Sequence, residues 1–201
     1  QVWVAAAPAT GPLGDHVYVL ASVDPPGTDP MDVHFIRSLD GGATWSAPVR
    51  VNDDAGDAWQ WFGTLSVAPN GRLDAVWADS RADPGGFDSE LYYASSSDGG
   101  VTWSANVVLS PPFDPHLGWP QQSKIGDYYD MVSDNDLVHV AWAATFNGEQ
   151  DVYYLRIGDY DCNGNGVADA DDIASGGSGD CDGDGIPDEC EPDCDSDGIP
   201  D

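Results

Sequence analysis

Ser38-Leu39-Asp40-Gly41-Gly42-Ala43-Thr44-Trp45 returns 58 residues later as Ser96-Ser97-Asp98-Gly99-Gly100-Val101-Thr102-Trp103. Ser, Asp, the Gly pair, Thr and Trp hold the same places in both copies. Asp40 and Asp98 are expected to accept hydrogen bonds from the backbone of their own turns. The pairs Gly41-Gly42 and Gly99-Gly100 supply the left-handed angles such a turn requires. Trp45 and Trp103 are expected to cover the turns against the sheet. The six residues before each turn also match, 32–37 against 90–95, and 151–156 is a third member that leads elsewhere. Self-similarity at a fixed period is the mark of a repeat architecture.

Outward from these turns the chain reads as short alternating strands divided by Gly, Pro, Asn and Asp, with no amphipathic helix of useful length. The first unit offers strands over 2–6, 17–21, 33–37 and 49–52, and the second over 62–68, 73–78, 91–95 and 106–109. The third offers 131–133, 137–143 and 152–157. Four strands per unit at even spacing predicts an all-β chain of about three blades.

With the octapeptide S-x-D-G-G-x-T-W, the Asp-box, residues 1–158 resemble the BNR-repeat, sialidase-like β-propellers. The resemblance implies an incomplete propeller, with Ser38, Asp40, Gly41, Gly42, Thr44, Trp45, Ser96, Asp98, Gly99, Gly100, Thr102 and Trp103 as structural turn residues. Fold alone does not carry activity. That family cleaves terminal sialic acid with an arginine triad, a tyrosine nucleophile paired with a glutamate, and an aspartate acid/base. The arginines here do not fill the pattern. Arg37 and Arg156 share one repeat position, Arg72 sits in a Pro-Asn-Gly-Arg turn, and the family's N-terminal arginine motif is absent. No catalytic residue is therefore assigned. Arg81, in Asp79-Ser80-Arg81, is the candidate for lining the mouth, set against a salt bridge to Asp79 or Asp83. Tyr128 and Tyr129 are the candidate pocket tyrosines.

The last stretch carries a different repeat. Its first copy places Asp161, Asn163, Asn165, Val167, Asp169 and Asp172 at positions one, three, five, seven, nine and twelve of a loop with Gly166 at six. The second repeats this as Asp180, Asp182, Asp184, Ile186, Asp188 and Glu191, and the third begins Asp193, Asp195, Asp197, Ile199 and Asp201. Alternate oxygens on a tightly curled loop, with a backbone carbonyl at position seven, suit calcium, which takes six to eight oxygens. Zinc would want nitrogen or sulfur, and no histidine lies here. Residues 159–201 resemble the thrombospondin type 3 calcium repeats. They also look somewhat like a dockerin, the partner of cohesin modules. A dockerin follows each loop with a helix of several turns, and 173–179 reads IASGGSG, so a cohesin-type partner is not expected.

Cys162, Cys181, Cys190 and Cys194 all lie in this tail, which reads as disulfides and an oxidising, extracytoplasmic compartment. Three pairings are open. Cys162 with Cys181 and Cys190 with Cys194 is the expected one, because Cys162 and Cys181 hold position two of successive loops. The tail holds 15 of the 36 acidic side chains and none of the six basic ones, within a net charge of −30. Such charge excludes nucleic acid as a partner and argues against anionic membranes, and no apolar stretch is long enough for membrane insertion. It also makes folding of the tail conditional on metal. With no initiator methionine and a third loop that stops short, the expectation is a piece of a longer secreted or cell-surface protein.

Two functions compete at this level. One is a non-catalytic module that binds glycans or extracellular proteins on a calcium-stiffened stalk. The other is the C-terminal part of a sialidase-like glycoside hydrolase whose catalytic residues lie mostly elsewhere.

Overall fold

The structure is a computed structural model and describes residues 1–7, 13–117, 125, 126, 128–158, 162–181, 183 and 186–191. The chain divides into two compact units, Gln1–Arg156 and Ile157–Asp201.

The first unit is built from eleven described strands: β1 (Val2–Ala6), β2 (Val17–Val23), β3 (Asp32–Ser38), β4 (Val49–Arg50), β5 (Gln60–Val67), β6 (Leu73–Asp79), β7 (Glu90–Ser96), β8 (Val107–Val108), β9 (Asp130–Ser133), β10 (Val138–Ala144) and β11 (Asp151–Ile157). Each expected strand is present, its ends within two residues of the sequence reading. Consecutive strands pair into three sheets, β1-β2-β3-β4, β5-β6-β7-β8 and β9-β10-β11. The third sheet therefore has three strands where the first two have four. All the strand pairs resolved in register are antiparallel. β5 packs on β1 and β2 of the sheet before it and on β9 of the sheet after it.

The core lies between the first two sheets. Tyr18, Leu20, Val33 and Phe35 of the first face Leu65, Leu73, Ala75, Trp77 and Ala94 of the second, all essentially inaccessible. Burying a side chain of this size contributes about 1.5 to 3 kcal/mol. The alternation that made these strands legible thus selects one face of each for the seam.

The two Asp-box turns have matching internal bonding. Asp40 accepts the Thr44 N–H at 2.8 Å and the Thr44 hydroxyl at 2.6 Å, while the Ser38 hydroxyl donates to Asp40 at 2.7 Å and accepts the Gly42 N–H at 2.8 Å. In the second turn the corresponding bonds of Asp98 and Ser96 measure 3.0, 2.6, 2.8 and 2.9 Å. Thr44 foremost, then Ser38, holds the Asp40 carboxyl down to about 2. Thr102 and Ser96 hold Asp98 well below the usual carboxylate range. Gly41, Gly42, Gly99 and Gly100 all have positive φ, from 69° to 92°.

The two tryptophans take different partners. The Trp103 ring meets Phe35 of the preceding sheet edge-on, centroids 5.3 Å apart. Trp45 lies on its own turn, donating from Nε1 to the Gly42 carbonyl at 3.1 Å, and is 43% exposed. Arginines bind the seams at the same end. Arg37 donates to the carbonyls of Asp98 and Gly99 in the next sheet's turn, at 3.3 and 2.7 Å. Arg72 is held by Asp74 and donates to the carbonyls of Asn135, Asp134 and Leu137 between β9 and β10.

In the second unit, α1 (Asp169–Ser175) begins inside the first loop and ends at Gly176, whose φ of 77° is left-handed. A single 3-10 turn spans Asp188–Cys190. Cys162 is joined to Cys190. This corrects both expected pairings: the exit of the second loop lies beside the start of the first, with Cα atoms 6.0 Å apart. Cys181 is exposed, its Sγ 3.1 Å from Asp188, and Cys194 lies outside the described residues.

Gly42 and Gly100 isolate the energetics of the seam. Both have left-handed backbones, but a Cβ on Gly100 would overlap the Phe35 ring, whereas one on Gly42 would meet only Trp45 at 3.8 Å. Gly100→Ala is expected to destabilise the chain by about 1 to 3 kcal/mol more than Gly42→Ala, through overpacking. Urea melts of the two variants measure the difference, and equal losses would remove the seam from the account.

Candidate functional site

The starts of β1, β5 and β9 share the end of the sheets opposite the Asp-box turns, as the antiparallel order requires. β5 is approached through Trp59-Gln60-Trp61-Phe62-Gly63, and its pairing with β6 shifts between Trp61 and Thr64. Phe62 at this bulge has φ 56°, and it is the non-glycine residue with positive φ among the described residues. Such a conformation costs about 1 to 3 kcal/mol and persists only where its surroundings fix it. Here Gly63 admits the approach: an added Cβ would stand 3.2 Å from Leu20 and 3.4 Å from Val33. The bulge turns two successive aromatic rings to one side. Trp61 stacks on Phe62 at 6.1 Å, and Phe62 meets Tyr129 edge-on at 5.4 Å.

Three cavities open around this segment. One of about 580 Å³ lies between the loop after β4 and the loop after β6, lined by Asp54, Asp57, Trp59, Arg81, Asp83 and Phe87 among others. A second, of about 210 Å³, shares Trp59 and adds Trp61, Phe62 and Gln1. The third, about 550 Å³, shares Gln1 and is completed by Trp3, Tyr128, Tyr129 and Asp130. Phe87 continues the wall, 6.2 Å from Trp59 and 5.3 Å from His116. An aromatic belt with scattered carboxylates and the Gln1 amide therefore runs across this end. Its signal in the sequence is the run Trp59-Gln60-Trp61-Phe62-Gly63.

Arg81 lines the first cavity but its guanidinium is committed. Nε and Nη2 donate to Asp79 at 2.9 and 2.7 Å, Nη1 to Asp53 at 2.7 Å, and Nη2 also to Asn106 at 3.0 Å. Its carbon face lies 4.2 Å over the Tyr92 ring. Asp79 is fully buried and also accepts from Trp77 Nε1 at 2.9 Å. Burial opposes the charge on Arg81, but Asp79 and Asp53 outweigh it and raise its pKa further. The salt bridge to Asp79 is thus present. No ion pair to Asp83 accompanies it among the described residues. Arg50 is similarly taken by Asp32 at 2.7 Å and Asp54 at 3.1 Å.

The candidate tyrosines separate. Tyr128 is 88% exposed, while Tyr129 is buried and donates to the Ala143 carbonyl at 3.4 Å. Burial drives the Tyr129 phenol far above its ordinary range. Tyr92 donates to Glu90 at 3.3 Å, the one tyrosine–glutamate contact among the described residues. Burial first, then Glu90, raises the Tyr92 pKa, which keeps the phenol protonated; a nucleophile needs the opposite.

In the second unit the first loop gathers its polar groups. Asn163 and Asn165 donate from Nδ2 to Asp172 at 3.3 and 2.5 Å, joined by the Ser178 hydroxyl at 3.1 Å. Asn165 foremost, then Asn163, lowers the Asp172 pKa. Asp169 Oδ1 accepts the Cys162 N–H at 2.9 Å, and Asp188 Oδ1 accepts the Cys181 N–H at 2.7 Å, the same bond in both loops. Asp169 is 5% exposed, and its Oδ2 is buried without a hydrogen-bond partner among the described residues. Gly166, at position six, has φ 86°. Among the described residues no three His, Cys, Asp or Glu side chains converge on a metal-sized point. Asp161, Asp182, Asp184 and residues 193–201 lie outside that description.

No protein-family model matches the sequence, and no curated protein does. Among solved structures, a Penicillium chrysogenum alpha-L-arabinanase complexed with arabinobiose is similar over 78% of this chain and 46% of its own, at 18% identity and a TM-score of 0.52. The chain is a β-propeller segment. It spans less than half of that arabinanase. A Hadza microbial sialidase is matched at 17% identity over 77% of this chain and 30% of its own, TM-score 0.47. A leech intramolecular trans-sialidase complexed with 2,7-anhydro-Neu5Ac is matched at 16% over 76% and 24%, TM-score 0.40. These likenesses concern the fold.

Removing the Arg81 guanidinium leaves Asp79 buried with an uncompensated charge. Arg81→Ala is expected to lower stability by about 3 to 5 kcal/mol. A urea midpoint within error of the parent protein would show instead that Arg81 is available to a ligand.

Proposed function

We propose that the chain is an extracellular carbohydrate-binding protein, in which a propeller segment holds neutral glycans on its aromatic face and a calcium-binding tail follows. The observation that carries the reading is the conjunction at that face: Trp59, Trp61, Phe62, Phe87 and Tyr128 line cavities that share wall residues, and Arg81 beside them is consumed by carboxylates. Aromatic faces stack on the apolar faces of sugars, while carboxylates and amides take hydroxyl donors. An anionic sugar would need bidentate guanidinium partners. Arg37, Arg50, Arg72 and Arg81 are each engaged within the protein.

The tail's proposed ion is calcium. Asn163, Asn165, Asp169 and Asp172 would hold it in the first loop with Asp161. Asp180, Asp182, Asp184, Asp188 and Glu191 would do so in the second. The buried Asp169 Oδ2, without a hydrogen-bond partner among the described residues, fits a cation, since a buried carboxylate oxygen left alone is costly. The ion would supply the positive charge that the tail's own composition lacks. The Cys162–Cys190 bridge supports secretion, because such bonds persist in oxidising compartments. No helix among the described residues is long and apolar enough to cross a membrane.

Two measurements test these readings separately. Calorimetric titration of the full chain with neutral and sialylated oligosaccharides should show neutral ligands binding, with Trp59→Ala or Tyr128→Ala weakening them about tenfold, about 1.4 kcal/mol. Preference for a sialylated ligand, or hydrolysis of either class, would replace this reading with the glycoside-hydrolase one that the arabinanase fold also accommodates. Calcium titration should show stoichiometric binding, with Asp172→Ala weakening the first loop and Glu191→Ala the second. If calcium changes neither heat nor circular dichroism, the tail is an acidic linker.

A further inference from the structure

The cavity of about 580 Å³ between the loop after β4 and the loop after β6 carries a charge imbalance that its surroundings do not answer. Among the described residues Arg81 is the one basic side chain on its wall, beside the carboxylates of Asp54, Asp57 and Asp83. Asp79 and Asp53 hold that guanidinium at 2.7 Å each. Arg50 is shared among Asp29, Asp32 and Asp54. Asp54 is the most buried carboxylate of the wall, its side chain 7% exposed. Its Oδ1 accepts from Asn52 Nδ2 at 2.7 Å and from Arg50 Nη2 at 3.1 Å, while its Oδ2 is buried and has no hydrogen-bond partner among the described residues. A buried carboxylate oxygen in that condition is costly, and a donor from a ligand at the same wall relieves the cost.

The rest of the wall is aromatic. Trp59 and Phe87 stand 6.2 Å apart with their planes inclined at 46°. Phe87 is 46% exposed, so its ring is not core. Nor does the repeat require it, since the loop after β2, residues 24–31, holds the equivalent place in the first sheet and has no aromatic residue. A ring face attracts a cation through its quadrupole. Carboxylates and ring faces together therefore select positive charge of a particular kind. A metal ion needs several oxygens converging on it, and among the described residues no three His, Cys, Asp or Glu side chains do so. An organic ammonium needs no such convergence, because its N–H groups can reach separate carboxylates while its carbon frame lies on the rings.

We propose that this cavity binds the protonated amine of an amino sugar, so that the glycans this face prefers carry a free primary amine. The inference rests on the carbohydrate reading above and names the substituent that reading leaves open. Trp59 supplies the stacking face, Phe87 a second ring face, and Asp54 and Asp57 the acceptors. Acetylating the amine or replacing it by a hydroxyl removes the charge and with it the preference. The net charge of −30 draws such cations towards the chain.

Calorimetric titration of the full chain with three β-1,4 tetramers, of glucosamine, N-acetylglucosamine and glucose, isolates that substituent. The salt is set at about 0.15 M, where exposed charges are screened beyond about 8 Å. The glucosamine tetramer is expected to bind at a single site, about tenfold tighter than the two neutral ones. Asp57→Asn, at an exposed position, and Phe87→Leu should each bring the three affinities together with the circular dichroism unchanged. A preference that survives both variants would place the amine elsewhere and overturn the proposal. So would tetralysine binding as tightly as the glucosamine tetramer, since it carries similar charge without a sugar ring. Equal affinity for the three tetramers would overturn the amine assignment and leave the carbohydrate reading standing, whereas binding of none would overturn that reading and this inference with it.

Discussion

The contact on which the first unit depends is the docking of one sheet's Asp-box turn on the sheet before it. Phe35 lies against Gly100 and Trp103, and Arg37 caps the carbonyls of Asp98 and Gly99. A turn of this shape leaves carbonyls pointing outward with no strand partner. A guanidinium from the neighbouring sheet satisfies them and fixes the spacing of the two sheets. The apolar seam then sets how tightly the sheets press, and Gly63 and Gly100 are small because backbone reaches the neighbour there. The Asp and Ser of each turn preserve its shape locally, so the turn presents the same surface wherever it recurs.

That division explains what the sequence made legible. Strand positions followed from alternation, and the turn's internal bonds from residue types that satisfy their own backbone, so both were local and readable. The role of Trp103 was not, because its partner Phe35 is 68 positions away and belongs to another repeat. Arg81 shows the same limit. Its neighbour Asp79 was visible two residues off, whereas Asp53 and Asn106 are brought in by separate loops. The aromatic mouth depended on a bulge at Phe62 that no pattern announces, since a positive φ at a bulky residue runs against local preference.

Charge links the site to the whole molecule. With six basic side chains against 36 acidic ones, each guanidinium has several carboxylates competing for it. Buried carboxylates win that competition, because an unpaired buried charge costs more than an exposed one. Asp32, Asp74 and Asp79 are the buried ones among the described residues of the first unit, and each holds an arginine. The arginines are thereby drawn into structure, and the aromatic face keeps mainly carboxylates as its polar groups.

The second unit faces the same excess of carboxylate with no basic residue to answer it. Its described contacts are correspondingly indirect. Asn163 and Ser178 both reach Glu189 of the following loop, at 2.8 and 2.6 Å, and the Cys162–Cys190 bridge ties the same two loops. This is why pairing by equivalent loop positions gave the wrong disulfide. Equivalence assumed successive loops laid side by side, start to start, whereas the chain brings the exit of the second loop back to the start of the first. Such a return places Asp172 and Glu189 on a shared serine, a contact that their like charges oppose. The hydroxyl and amide donors moderate that repulsion without neutralising it, so the arrangement is one whose stability a bound cation would raise, and the two loops would then respond to it together.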